Sequence, residues 1–359
     1  MEKSKVYFTT MKTTLSENLP QKLKRLILAA GMDQIDFDGK YTAIKMHFGE
    51  PGNLAFLRPN YAAVVVNTVK ELGGKPFLTD CNTLYVGGRK NALDHMDSAM
   101  VNGFNYMTTG CQIIIADGLK GNDEVEVPVA GGEYVKNAKI GRAVMDADVF
   151  ISLTHFKGHE TAGFGGCLKN IGMGCGSHAG KMEQHNAGKP HVNQKLCVGC
   201  GQCRKICAHG APVITDRKAA IDHDKCVGCG RCIAICPKNA VQINWDESTS
   251  NLNRKIAEYT KAVVDGRPCF HISLVIDVSP NCDCRSENDM AIVPNVGMFA
   301  SFDPVALDQA CADACMRQQP IPGSVLDENL HKPGFCDHHD HFTNTTPETN
   351  WKVCLEHAE

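Results

Sequence analysis

Residues 41–81 read "YTAIKMHFGEPGNLAFLRPNYAAVVVNTVKELGGKPFLTDC". The opening "YTAIKMHF" is a short, mostly apolar run suited to a strand. Residues 60–74, "NYAAVVVNTVKELGG", read as a helix closed by glycines. Residues 75–81, "KPFLTDC", are the next strand. A strand, a helix and a second strand in succession imply a parallel pair joined by a crossover helix.

The same alternation extends in both directions. Residues 5–11, "KVYFTTM", suit a strand. Residues 19–31, "LPQKLKRLILAAG", form an amphipathic pattern that ends at a glycine, as helices do. Residues 91–103 read as a helix, and "CQIIIAD" (111–117) and "DVFISLTHF" (148–156) are buried-strand runs. The pattern stops near residue 189, in a segment rich in cysteine and glycine. It resumes after residue 248 with a helix (251–266), a strand (269–278) and a helix (303–318). The expected fold is therefore α/β, a mostly parallel sheet with helices on both faces. It is formed by residues 1–189 and 246–359 and interrupted by a small α+β insert, residues 190–245. Three consecutive domains are the alternative, but the tail has too few elements for a core of its own.

The chain has 359 residues, 43% hydrophobic and 21% charged, with a net charge of −3. Such a balance excludes a general nucleic-acid or anionic-membrane binder. No run approaches the roughly 18 apolar residues of a membrane span, and the N-terminus lacks the apolar core of a secretion signal. A cytoplasmic protein is expected. Nineteen cysteines in a reducing compartment read as metal or cluster ligands before disulfides.

Within the insert, "CVGCGQCRKIC" places Cys197, Cys200, Cys203 and Cys207, and "CVGCGRCIAIC" places Cys226, Cys229, Cys232 and Cys236. Both runs are C-x2-C-x2-C-x3-C. Tight spacing with glycines lets the backbone curl around a cubane and aim N–H groups at its sulfurs. The repeat resembles that of bacterial two-cluster ferredoxins. That resemblance implies two [4Fe-4S] clusters, with the fourth cysteine of each run serving the other cluster. One would take Cys197, Cys200, Cys203 and Cys236, and the other Cys226, Cys229, Cys232 and Cys207. Pro237 follows Cys236 as in that family, but Ala208 follows Cys207, which loosens one turn. Zinc knuckles are the alternative and fit a four-cysteine run poorly.

A second block, residues 152–181, "SLTHFKGHETAGFGGCLKNIGMGCGSHAGK", starts at a strand's carboxyl end, where open α/β sheets bind ligands. It is expected to be a glycine-rich loop able to approach an anion or a cluster. It is not a P-loop, because Lys181 is followed by Met182 and the first glycine would be Cys175. "GCGSHA" (174–179) matches a dinucleotide fingerprint only formally, since no strand directly precedes it.

"KMHFGEPGN", "TDCNTLYVGGR", "IADGLKG", "HFKGHETAGFGGCLKNIGMGC", "CDC" and "VGMFASFDPVALDQA" occur in this order along the chain. Together they resemble the family called domain of unknown function 362, in its iron–sulfur branch with an inserted two-cluster ferredoxin module. The resemblance spans nearly the whole chain. It implies an iron–sulfur protein of an anaerobe and no particular activity. The chain ends at "CLEHAE", earlier than the resemblance suggests, so a trimmed C-terminal edge is expected. Lys157, His159, Lys169 and Asn170 stand in the family's central block, Cys282 and Cys284 in its CDC block, and Asp303–Pro304 at its last helix.

Bland readings stand beside these. Lys157 and His159 fit an exposed polar loop as well as a site. Asp303 fits a helix cap better. His47 and Glu50 fit a turn after a strand, and Asp80, Asn82 and Arg89 follow another strand. Cys81, Cys111, Cys269, Cys311, Cys315 and Cys354 lie in apolar contexts and read as core. Cys175, Cys282 and Cys284, joined by Cys167 or His159, are the candidate ligands of a third metal or cluster. The C-x-C pair is alternatively an oxidising dithiol or plain packing. "CDHHDH" (336–341) is a weaker metal candidate.

Two functions fit this pattern. The first is an oxidoreductase, in which the insert passes single electrons to a site at the sheet edge. Lys157, His159 and Lys169 would there bind or protonate an anionic small-molecule substrate. The second is a non-catalytic electron carrier or a cluster or metal delivery factor. Both need a redox partner protein, and neither names the substrate or the oligomeric state.

Overall fold

The computed structural model describes residues 3–85, 87–185, 189–243, 247–333 and 339–359. At its centre is a seven-stranded sheet. The strands are β1 (Tyr7–Thr10), β2 (Tyr41–Lys45), β3 (Lys75–Asp80), β4 (Ile113–Ile115), β5 (Val149–His155), β6 (Cys269–Val275) and β7 (Gly297–Ser301). Their spatial order is β1-β7-β6-β5-β2-β3-β4. From β6 to β4 every pairing is parallel. β7 and β1 extend one edge antiparallel. β7 is a strand that periodicity did not single out: its five residues are all buried, so no alternation marks them.

The period-two geometry of β5 divides the core into two layers. Val149, Ile151 and Leu153 pack with α1 (Leu19–Ala29), α2 (Pro59–Glu71) and α3 (Ala92–Val101) on one face. Phe150 packs on the other, with α4 (Cys167–Cys175), α6 (Thr249–Val264) and α7 (Pro304–Met316). Between α4 and α6 in the chain comes α5 (His178–His185). Among the described residues no helix is long and apolar enough to cross a membrane. Cys311 and Cys315 of α7 and Cys354 lie in the second layer, and Cys111 in the first, as packing.

The glycine-rich block is not the loop expected of it. It is a hairpin, Lys157–His159 with Gly163–Gly165, followed by α4 and α5. The glycines are there for close packing. A Cβ on Gly172 would lie 2.1 Å from the carbonyl oxygen of Ile256 in α6, and one on Gly174 would lie 2.4 Å from Lys45 Nζ.

α4 begins at Gly166, which supplies no side-chain cap. Asp308 of α7 caps it from outside: the N–H groups of Cys167 and Leu168 donate to its carboxylate at 2.6 and 2.8 Å. Asp308→Ala leaves two buried donors without partners and should cost about 1–3 kcal/mol, read as a lowered denaturation midpoint. A loss near zero would show that water takes over the cap.

The two ends of the cysteine-rich segment lie side by side, since His191–Val192 pairs antiparallel with Val241–Gln242. The segment also contains the hairpin Pro212–Thr215 with Lys218–Ile221 and two short helices, Gln202–Ile206 and Arg231–Ala234.

Candidate functional site

The strand order reverses between β2 and β5, and such switch points open a crevice beyond the carboxyl ends of the strands. A cleft of about 670 Å³ occupies that position. β2 contributes Lys45 and leads to His47 and Glu50. β3 ends at Asp80 and leads to Leu84, Tyr85 and Arg89. β5 leads to Lys157, His159 and Glu160, and β6 to Cys282, Cys284 and Arg285. α4 and α5 add Lys169, Lys181 and His185.

β5 and β6 are parallel neighbours, so the segments that follow them emerge side by side. His159, Cys282 and Cys284 thereby come together, each with a potential ligand atom within 4.8 Å of the others. His159 Nδ1 accepts from the N–H groups of Thr161 and Ala162, both at 3.0 Å, which fixes the ring. The thiol pair gives up a first proton readily, because the Cys284 S–H can donate to the Cys282 thiolate. Lys169 and Lys157 add positive charge around that thiolate, and Cys284 holds the remaining proton tightly.

Between the two cysteines, Asp283 turns inward and is fully buried. Both its oxygens lie 2.9 Å from His155 Nδ1, and one lies 3.3 Å from Lys157 Nζ. Its backbone carbonyl accepts from Glu50 N–H at 2.8 Å. Burial opposes the charge on Asp283, but His155 and Lys157 outweigh it and hold the carboxyl far below its usual range. Burial likewise works against the Lys157 ammonium. Asp283 and the two thiols nevertheless carry its pKa above the ordinary lysine value.

The opposite wall is a second charge network. Arg89 Nε donates to Glu50 at 2.9 Å, and its guanidinium lies 3.5 Å from Asp80. It also bonds the Tyr85 hydroxyl. Lys45 Nζ reaches Asp80 at 3.0 Å and Asn170 at 2.8 Å. Burial resists ionisation of Asp80, yet Lys45, His95 and His47 keep it well below the carboxylate range. Burial also opposes the charge of Glu160, but His159 and Arg285 draw it down to about 2.

Two expected ligands lie elsewhere. Cys175 does not join the thiol pair. It ends α4, fully buried, and its carbonyl accepts from the Cys81 thiol at 3.3 Å. Burial pushes its thiol up to about 12. Cys167 sits at the first turn of α4, 3.1 Å from Ser152 Oγ. Both cysteines pack in the apolar core and neither lines the cleft, which spacing along the chain cannot reveal. Asp303 is the helix cap it resembled, accepting from Val305 and Ala306 N–H at 2.8 and 3.0 Å. Asn82 braces a turn through Asp117 at 2.8 Å. Of "CDHHDH", residues 336–338 lie outside the described residues. Asp340 accepts from Trp351 Nε1 at 3.0 Å, and His341 Nε2 pairs with the Gln318 carbonyl at 2.8 Å.

Sequence reasoning passed over Lys45, Tyr85, Glu160, Lys181, His185 and Asp283, all of them in or against the cleft. Only Asp283 carried a local signal, its place between the two cysteines.

In the insert, Cys197, Cys200, Cys203 and Cys236 line one small cavity. The N–H groups of Ala219 and Ala240 point to the sulfurs of Cys197 and Cys236 at 3.3 and 3.2 Å. Such donors fit a cluster held by thiolates. Cys232 has Cys229, Cys226, Cys203 and Cys207 as charge neighbours, and burial with these thiols pushes it up to about 12. Leu84 and Met182 of the sheet domain join one apolar cluster with Cys197, Cys203 and Cys236. Lys90 Nζ donates to the Cys236 carbonyl at 3.1 Å.

A family model described as "Domain of unknown function (DUF362)" matches residues 42–313, from β2 into α7. Two solved structures are similar to this chain. A crystal structure of a Thermotoga maritima protein has a TM-score of 0.41 at 10% identity, covering 85% of this chain and 60% of that one. The lactate racemase apoprotein of Thermoanaerobacterium thermosaccharolyticum has a TM-score of 0.34 at 11% identity, covering 84% of this chain and 52% of that one. This chain thus spans only about half to three-fifths of their lengths. No curated protein matches it.

Proposed function

The chain belongs to the DUF362 family, and from that premise we propose that it is an iron–sulfur redox protein whose insert relays single electrons to a metal held by His159, Cys282 and Cys284. One observation carries this reading. Leu84 lines the cleft and belongs to the apolar cluster that contains Cys197, Cys203 and Cys236. A single loop therefore borders both that cluster and the cleft that holds the candidate metal ligands.

Two [4Fe-4S] clusters, when bound by the eight insert cysteines, would supply one-electron transfer. The chain's own residues do the rest. N–H groups of Ala219 and Ala240 stabilise charge on the sulfurs they face. Lys90 holds the Cys236 turn against the sheet domain. Leu84 and Met182 keep water from the contact. Two thiolates and an imidazole suit a first-row metal that favours sulfur, and three protein ligands leave a coordination position toward the cleft. A plain electron carrier has no need of a 670 Å³ cleft beside such a group, which favours catalysis over carriage.

The test uses protein purified without oxygen and a reduced ferredoxin as donor, too large to enter the cleft. Iron content should fall by about four per chain in Cys203→Ser, one cubane's worth. Reduction of the cleft metal, followed by electron paramagnetic resonance, should slow sharply in that variant. Equal reduction rates in the variant and the wild type would rule out the relay.

A further inference from the structure

Most cations of the cleft are held in ion pairs. Lys45 is matched by Asp80, Arg89 by Glu50 and Asp80, Lys157 by Asp283, and Arg285 by Glu160 and Glu287. Two ammonium groups have no carboxylate within ion-pair distance among the described residues. Lys169, on α4, lines the cleft, and among the described residues no acceptor holds its amino group. Lys181, on α5, is only 6% exposed and also lines the cleft. Its Nζ meets the carbonyls of Gly176 and Gly174, at 2.5 and 3.4 Å, and no carboxylate.

Taking an ammonium out of water is costly unless an opposite charge compensates it. Two ammoniums that face one cleft without a paired carboxylate are therefore a standing attraction for an anion. Both act on the same neighbour: burial, followed by the charges of Lys169, His159 and Lys181, pushes the His185 imidazole down to about 3. Lys169 also acts on Cys282 and Cys284, so its ammonium lies beside the candidate metal ligands.

We propose that Lys169 and Lys181 form a subsite for an anionic group, a carboxylate or a phosphate, of the molecule that reacts beside His159, Cys282 and Cys284. The inference rests on the redox reading only in calling that molecule a substrate. Lys157, expected from the sequence to share this task with His159 and Lys169, is already paired with Asp283 and acts as scaffold. The cleft volume suits a metabolite-sized ligand.

Calorimetric titration of the full-length protein, prepared without oxygen, with malonate and with inorganic phosphate tests this. At least one anion should bind with one-to-one saturation. Lys169→Met and Lys181→Met should each weaken binding by about tenfold to a hundredfold, and Lys169→Arg by much less. Lys169 is partly exposed, so its replacement spares the core even if Lys181→Met folds poorly. Binding of phosphate alone points to a phosphorylated ligand, and binding of malonate alone to a carboxylic acid; either supports the subsite. Failure of both anions to bind the wild type, or undiminished binding in Lys169→Met, overturns it. Cys282→Ser/Cys284→Ser separates the two proposals. Anion binding that survives loss of the metal keeps the subsite whatever becomes of the redox reading. Anion binding that disappears with the metal assigns the anion to the metal and overturns the subsite.

Discussion

Cys282→Ser/Cys284→Ser should lose one equivalent of metal from oxygen-free protein and keep the insert's iron, about eight atoms for two cubanes. Both thiols belong to the group that converges with His159. Serine keeps their size and removes the soft donor, and a hydroxyl does not replace a thiolate for a first-row metal that favours sulfur. The insert has its own eight cysteines, so its content should not change. Metal analysis by mass spectrometry, with acid-labile sulfide, reads both quantities at once. Identical metal content in variant and wild type would leave the pair as packing or as a dithiol and remove the acceptor from the proposed relay. A Cys284→Ala variant separates the roles further: it removes the S–H donor and with it the hydrogen bond that most favours the Cys282 thiolate.

Asp283→Ala should be the most destabilising single change in the cleft wall, by about 3–5 kcal/mol. The carboxylate is fully buried and is shared by His155 and Lys157. Removing it strands a buried ammonium and frees the turn that aims the two cysteines. Asp283→Asn keeps the shape and loses the charge, so it should fall between the wild type and alanine. Chemical denaturation of protein with intact clusters provides the measurement. A loss below about 1 kcal/mol would mean that water reaches the pair and that another contact holds the turn. Metal content in the folded fraction of Asp283→Asn tests the positioning role separately, because asparagine leaves both thiols in place.

Much of the architecture was legible in local pattern. The alternation in residues 41–81 is a parallel strand–helix–strand unit in the structure, β2, α2 and β3. Helix ends followed the glycines and caps that announced them. The placing of Cys282 and Cys284 just beyond a strand was likewise visible, because an apolar run followed by a polar turn marks a strand's end. The glycine-rich block misled for a physical reason. Glycine signals a loop when the backbone needs positive φ, but Gly172 and Gly174 are helical and serve close approach to Ile256 and Lys45. Composition is the same in both cases.

What the sequence by itself determined is the set of chemical groups and the elements that carry them. These are a mostly parallel α/β sheet, two C-x2-C-x2-C-x3-C cysteine runs, and a C-x-C pair at a strand's carboxyl end. Only the tertiary structure decided which groups meet. Strand order puts β5 beside β6, so His159 reaches Cys282 and Cys284, while Cys175 is carried away at the far end of α4. The same packing decides which lysines are spent on buried carboxylates and which still face the cleft. Periodicity reports what lies within a few residues along the chain. Ligation and charge compensation depend on distances between segments more than a hundred residues apart, and these exist only once the sheet has formed.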